Sequence, residues 1–173
     1  VNVDGLVGIT HVVYMGIWYN RALNTIDGLA NLTSVGKNSI GDLSIIENAA
    51  LTNVDGLANL TSIVGSLSIG RNVALTNIDG LANLTKLGMG LYISGNNALT
   101  NVDGLASITS LYGLSIAKSP ALTNIGGLAS LTSVGSWLSI EYTSLTNLDG
   151  LANLTTLGGT FADRGLKIFG NNA

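Results

Sequence analysis

Residues 55–78 read DGLANLTSIVGSLSIGRNVALTNI, and this stretch decides the fold because its pattern recurs along the whole chain. Successive copies begin 23, 28, 24, 24, 23 and 23 residues apart. A fixed period in this range is typical of solenoid proteins, in which each copy forms one coil stacked on the next. The seven copies, numbered 1 to 7 below, begin at Asp4, Asp27, Asp55, Asp79, Asp103, Gly126 and Asp149.

Within copy 3, apolar residues spaced by three predict a short helical or 3₁₀ turn after Asp55. Asp55 is the predicted N-cap of this turn, and Gly56 is expected to let the chain bend. Residues 66–70 then alternate polar and apolar side chains, which predicts a half-buried strand. Seven side chains of the copy are predicted to point inward: Leu57, Leu60, Ile63, Leu67, Ile69, Leu75 and Ile78.

The same seven slots recur in copy 4, so stacked copies are predicted to bury one continuous core and to align their Leu-x-Ile strands in a single parallel sheet. Polar slots form columns too, and we interpret two asparagine columns as internal ladders of side-chain amides between coils. One column consists of Asn20, Asn48, Asn72, Asn96, Ser119, Thr143 and Asn171, and the other of Asn53, Asn77, Asn101, Asn124 and Asn147.

The composition of the chain excludes some classes of function. The chain has 173 residues, 46% of them hydrophobic and 10% charged, with a net charge of −3. This gives no basic face for nucleic acid, and no apolar stretch is long enough to predict membrane insertion. The chain starts at Val1 and ends within a repeat, so we expect a single domain over residues 1–173 of a longer protein. Flanking domains or neighbouring copies are expected to contact its open ends.

Residues 56–69, GLANLTSIVGSLSI, resemble the receptor L-domain branch of the leucine-rich repeat family. The resemblance covers nearly the whole chain and implies a right-handed leucine-rich solenoid of about seven coils. It also implies extracellular or cell-surface recognition, adhesion or wall structure, without catalysis. The chain has no cysteine, unlike the receptor members, which favours a microbial surface protein.

Irregular positions are where a specific function would lie. Outward strand positions are mostly Ser, Gly or Ala, so exposed aromatic residues there suit stacking on sugar rings or anchoring a protein partner. The predicted ligand-binding residues are Trp18, Tyr92, Trp137 and Phe169. Residues 37–42 are an insertion predicted to bulge as a loop, residues 11–19 an aromatic capping segment, and residues 159–164 a further irregular stretch.

The sequence predicts no catalytic residue, metal site or cofactor. The aspartates of the Asp-Gly pairs form a column that suggests calcium, but each copy offers one carboxylate where a calcium site needs several oxygen ligands. The remaining acids are scattered, and no other residue is linked by sequence to His11, the only histidine. Four Asn-Leu-Thr sequons, at Asn31, Asn59, Asn83 and Asn153, recur with the repeat and are interpreted as products of packing.

Two alternatives stay open. The first is an ice-binding protein, because regular threonine columns on a weakly charged solenoid would present hydroxyl and methyl groups about every 4.8 Å. The second is a polysaccharide-acting β-helix enzyme, which lacks the clustered acids that glycoside hydrolysis needs. The ice-binding column would be Thr52, Thr76, Thr100, Thr123 and Thr146, and a second threonine column comprises Thr33, Thr61, Thr85, Thr109, Thr132 and Thr155.

Overall fold

The computed structural model describes residues 2–158 and 165–171, so the irregular stretch 159–164 lies outside the described residues. Each copy begins with a three-residue 3₁₀ helix, as the spacing of its leucines predicts. Consecutive helices contact each other, which stacks each copy on its neighbours. The helices are Asp4–Leu6, Asp27–Leu29, Asp55–Leu57, Asp79–Leu81, Asp103–Leu105, Gly126–Leu128 and Asp149–Leu151.

Twelve strands follow the helices in the described chain, and all their pairings within sheets are parallel. The architecture is therefore a β-solenoid-like arrangement of parallel sheets. The strands are β1 (His11–Val12), β2 (Met15–Trp18), β3 (Ser34–Val35), β4 (Leu43–Ile46), β5 (Ser62–Ile63), β6 (Leu67–Gly70), β7 (Lys86–Leu87), β8 (Gly90–Ser94), β9 (Ser110–Ser119), β10 (Ser133–Thr143), β11 (Thr156–Leu157) and β12 (Leu166–Phe169).

The Leu-x-Ile strands align in one parallel sheet, as predicted, but the strands form two sheets, and the second was not predicted. The larger sheet has the order β11-β10-β9-β8-β6-β4-β2, with β12 also paired to β10, and the smaller has the order β1-β3-β5-β7. The smaller sheet arises because Ile63 lies in a strand rather than in the predicted helical turn. Its backbone bonds join successive copies, as from Val64 N–H to the Val35 carbonyl at 2.9 Å. In β9 and β10 the two strand positions run together into one long strand.

The predicted core is confirmed. Leu57, Leu81, Leu105 and Leu128 are buried in one continuous cluster that extends from Ile17 to Leu145. All seven predicted inward side chains of copies 3 and 4 belong to this cluster. The strand register places like residues beside each other, with leucine on leucine and isoleucine on isoleucine from β4 through β10.

The first asparagine column is the predicted internal ladder. The Oδ1 atom of Asn72 accepts the backbone N–H of Asn48 at 2.9 Å, and its Nδ2 donates to the Ile45 carbonyl at 2.9 Å. Asn96 repeats these two contacts with Asn72 and Ile69, at 3.0 and 2.9 Å. The shortest bonds of each amide thus go to the preceding copy. As predicted, the amide also bonds on its other side, since Asn72 Nδ2 donates to Asn96 Oδ1 in the following copy at 3.5 Å. All three asparagines are fully buried, so the ladder satisfies backbone groups that water cannot reach.

Asp55 is not the N-cap of its helix, and the second asparagine column is not a ladder, so both predictions are wrong. The reason is the same for both, because the asparagine side chain makes the turn bond that was expected of the aspartate. Asp55 is the first residue of its helix, Val54 is the N-cap, and no side-chain capping bond is made. The preceding Asn53 instead accepts the backbone N–H of Asp55 at its Oδ1, at 3.0 Å. The same bond recurs from Asn77, Asn101, Asn124 and Asn147. This second column therefore forms local turns where each copy passes into the next, and it makes no amide ladder between stacked positions.

The glycine of each Asp-Gly pair has a stacking role that the sequence did not reveal. A Cβ added at Gly56 would overlap the carbonyl oxygen of Ile26, the N-cap residue directly before the helix of copy 2. The equivalent glycines of copies 2 and 4 to 7 meet a preceding carbonyl in the same way. At Gly5 in copy 1, nothing lies within 4 Å of such a Cβ. Glycine is therefore needed for the close approach of the stacked helices, rather than for a bend as predicted.

The insertion in copy 2 forms the predicted loop. Lys37 and Ile40 exchange backbone hydrogen bonds of 2.7 and 3.1 Å, and the two residues between them have positive φ angles, 51° at Asn38 and 68° at Ser39. Such a pair of left-handed residues is the geometry of a tight two-residue hairpin. Asp42 follows, and its Oδ1 accepts the Ser66 backbone N–H at 2.7 Å, which ties the loop to copy 3.

Candidate functional site

The outward face of the larger sheet carries the candidate site. Alternation along each strand points one set of residues into the core and the other set to solvent, as in β4, where Leu43 and Ile45 are buried and Ser44 and Ile46 are half-buried. One outward column consists of Gly16, Ser44, Ser68, Tyr92, Ser115, Ser139 and Lys167. The next consists of Trp18, Ile46, Gly70, Ser94, Ala117, Glu141 and Phe169.

Two of the four predicted ligand-binding residues come together on this face. Tyr92 lies on β8 and Trp137 on β10, and their ring centroids are 6.0 Å apart with an angle of 33° between the ring planes. Tyr112 completes the group with its ring edge to face with Trp137, at 5.6 Å and 84°. These three residues form what we call the central aromatic cluster. Strand β9 runs between β8 and β10 and presents only small residues, Gly113 and Ser115, beneath the two rings.

The rings are held against the sheet by glycines. A Cβ added at Gly113 would overlap three atoms of the six-membered ring of Trp137. Gly90 receives the ring of Tyr92 in the same way, on the same strand. Both rings therefore pack on backbone, with Tyr92 37% exposed and Trp137 half-buried. Glycine and aromatic residues together build an apolar platform whose rings are fixed in place.

Polar groups border the platform. A shallow groove of about 360 Å³ is lined by Tyr92, Trp137 and a short series of polar side chains. Within it, Ser139 donates a hydrogen bond to the Glu141 carboxylate. The series consists of Ser115, Ser139, Glu141 and Lys167. The groove thus combines ring faces with hydroxyl, carboxylate and ammonium groups, which is the usual composition of a small-ligand site.

The other two predicted residues lie apart from the central cluster. Trp18 is on β2, at the far end of the sheet, where its ring meets Tyr14 at 6.0 Å and packs on Gly16. We call Tyr14 and Trp18 the terminal aromatic cluster. Phe169 on β12 pairs edge to face with Tyr142 at 5.3 Å. Both Trp18 and Phe169 are 45% exposed, so the four predicted residues fall in three groups along one face.

Sequence reasoning left Tyr112 and Tyr142 out of the candidate site. Tyr112 follows the buried Leu111, so alternation along β9 was a signal that could have found it. Tyr142 has a φ of 53°, in the left-handed region just after Glu141, and no simple alternation places its ring.

The threonine columns lie elsewhere in each copy and are exposed throughout. Their hydroxyls are engaged with the preceding copy: Thr76 Oγ1 donates to the Thr52 carbonyl at 3.1 Å, and Thr61 Oγ1 to the Thr33 carbonyl at 3.1 Å. The sequon asparagines behave alike, since Asn59 Nδ2 donates to the Ala30 carbonyl at 2.7 Å. The sequons are therefore part of the packing between copies, as predicted.

Acidic residues do not gather on the described part of the chain. The six Asp-Gly aspartates are exposed, one in each copy except copy 6, where Gly126 takes this position. Among residues 2–158 and 165–171, no three His, Cys, Asp or Glu side chains lie together as metal ligands would. Glu47 forms a 2.7 Å ion pair with Arg71 at the rim of the sheet.

Comparison of the sequence with models of known protein families found no match, and comparison with curated proteins found none either. In the described residues, no helix has the length and apolar character needed to cross a bilayer. The interpretation of the candidate site therefore depends on its residues and their geometry.

Proposed function

We propose that the chain is a non-enzymatic recognition module of an extracellular or cell-surface protein, and that it binds glycan on the outward face of its larger sheet. In this proposal the fold is a right-handed leucine-rich solenoid of the receptor L-domain type. Support for the fold comes from residues 56–69 and from the in-register Leu-x-Ile strands. Support for the function comes chiefly from one observation: the aromatic platform of Tyr92 and Trp137, with the small residues Gly113 and Ser115 of β9 between them.

The platform suits a sugar better than a protein surface. The C–H groups of a pyranose ring carry partial positive charge and match the negative face of an aromatic ring. Hydroxyl and carboxylate groups beside the platform, from Ser115, Ser139 and Glu141, can bond sugar hydroxyls. Glu141 is the sole carboxylate among the described residues that line the groove. Glycoside hydrolysis ordinarily uses a pair of carboxylates, so this geometry favours binding over cleavage.

The test is a glycan array probed with the purified chain. We expect binding that is lost or strongly weakened in Trp137→Ala and Tyr92→Ala. Val73→Ala is the matched control, because Val73 is an exposed apolar residue outside the sheet. Unchanged binding in both aromatic variants would overturn the assignment of the platform as the binding site. If the chain binds no glycan on the array, the role that remains for it is that of a structural spacer.

Ice binding is the second candidate, favoured by the two exposed threonine columns in regular register. The hydroxyl hydrogen bonds to the preceding copy weigh against it, because Thr52, Thr76 and Thr100 already donate to backbone carbonyls. Thermal hysteresis measured on the purified chain separates the two functions. We expect none, and hysteresis that disappears in Thr76→Val would instead support ice binding.

A further inference from the structure

The two tryptophans stand on the same face but far apart. The larger sheet runs β2-β4-β6-β8-β9-β10, so five strand spacings separate Trp18 on β2 from Trp137 on β10. At about 4.8 Å for each spacing, the separation is about 24 Å across the strands. Tyr92 lies between them on β8, about 14 Å from β2. A monosaccharide or disaccharide on the central cluster would not reach the terminal cluster.

The surface between the clusters is open and shallow. The outward positions there are Ser68 and Gly70 on β6 and Ser94 on β8. A second groove, of about 410 Å³, lies over these residues and is lined at one end by Ile46 and at the other by Tyr92. Because Tyr92 also lines the first groove, the two grooves adjoin at its ring, and together they extend from β4 to β12. We call this the cross-strand track.

Both aromatic clusters are built in the same way. The six-membered ring of Trp18 packs on Gly16, as that of Trp137 packs on Gly113. Each ring is therefore fixed against backbone. Trp137 lines the track, and Trp18 lies one strand beyond its β4 end, beside Ile46. The charges along the track balance, with Glu47 paired to Arg71 beside the second groove and with Glu141 and Lys167 both lining the first. The track therefore has no strong preference for an anionic or a cationic polymer.

From this arrangement we infer that the ligand is an extended, uncharged polysaccharide, and that one chain lies along the cross-strand track and stacks on both aromatic clusters. The inference rests on the proposed glycan recognition and adds to it the polymer class and the second stacking site. Equatorially linked pyranose polymers fit best, because they are flat ribbons that present C–H faces to a flat surface. Serine hydroxyls along the track, at Ser68, Ser94 and Ser115, can bond the ring hydroxyls between the clusters.

The experiment measures how affinity depends on ligand length. The probes are cello-oligosaccharides and chito-oligosaccharides from two to eight units, titrated into the purified chain by calorimetry. Two linked stacking sites should raise affinity steeply once one ligand reaches both, by roughly tenfold or more. Trp18→Ala and Trp137→Ala should each remove this step, and Trp137→Ala should also weaken the binding of disaccharides at the central cluster. Val73→Ala is again the control.

A second variant tests the track itself without touching either cluster. A Cβ at Gly70 would meet its nearest non-neighbouring atom at an ordinary 3.5 Å, so Gly70→Trp should fold and place bulk in the middle of the track. We expect it to abolish the length step and to spare disaccharides. Equal affinity for short and long ligands, or a length step that persists in Trp18→Ala and Gly70→Trp, would overturn the inference while the central platform still stands. No binding of any probe, or binding indifferent to Trp137→Ala, would overturn both proposals.

Discussion

Replacing Asn72 by alanine tests the buried ladder that joins the copies. Asn72 is fully buried, its Oδ1 accepts the Asn48 backbone N–H at 2.9 Å, and its Nδ2 donates to the Ile45 carbonyl at 2.9 Å. Alanine leaves the buried Asn48 N–H without this acceptor and removes the bond to the Ile45 carbonyl. An unpaired buried donor costs about 1–3 kcal/mol and a lost hydrogen bond about 0.5–1.5 kcal/mol, so Asn72→Ala should lower the free energy of unfolding by about 2–4 kcal/mol.

The matched control is Asn77→Ala in the same copy. Asn77 is half-buried, and the one contact that joins its side chain to the backbone is the acceptance of the Asp79 N–H at 3.2 Å, at an exposed turn where water can replace it. Its loss should cost about 0.5–1.5 kcal/mol. Equilibrium urea unfolding, followed by circular dichroism, measures both variants. Equal losses would refute the reasoning, because they would mean that the buried amides add no more than a surface hydrogen bond.

Other changes test the stacking and the core. Gly56→Ala should destabilise the chain by about 3 kcal/mol or more, because the added methyl group overlaps a backbone carbonyl, whereas Gly5→Ala, with open space around it, should be nearly neutral. Thermal melts of the pair decide this, and similar melting temperatures would contradict the close-approach explanation. Leu81→Ala should cost about 2–5 kcal/mol as a cavity in the core, and the half-buried Ser68→Ala should cost little. Equal losses in urea unfolding would show that the inward and outward sides are misassigned.

Most of the fold could be predicted from the sequence repeat. A period of about 24 residues and fixed apolar slots were enough to predict one continuous core, the 3₁₀ turns and the outward position of Tyr92 and Trp137. The buried Asn72 column was predictable for the same reason, since a polar residue that recurs among core slots needs partners. The period predicts the packing because neighbouring copies have nearly the same sequence, so each copy packs against residues like its own.

What the sequence did not reveal depends on contacts across copies and on backbone conformation. Both aspartate and asparagine can accept the first backbone N–H of a turn. Which of Asp55 and Asn53 does so is set by the local backbone angles, and these could not be read from the sequence. Residues such as Glu47 and Arg71 adopt φ angles of 59° and 54°, where glycine would be expected from a local rule. The seating of Trp137 on Gly113 joins residues 24 positions apart, so it became visible only when the strands were in register.

The ladder has a consequence for how such a chain can change. Each asparagine amide makes its shortest bonds to the copy just before it, so an in-frame deletion of residues 55–78 would let Asn96 bond copy 2 as Asn72 does now. The same deletion would shorten the path from Trp18 to Trp137 by one strand spacing, about 4.8 Å. Under the proposed binding mode, gain or loss of whole repeats would match the molecule to polymers of different lengths and leave each stacking site intact.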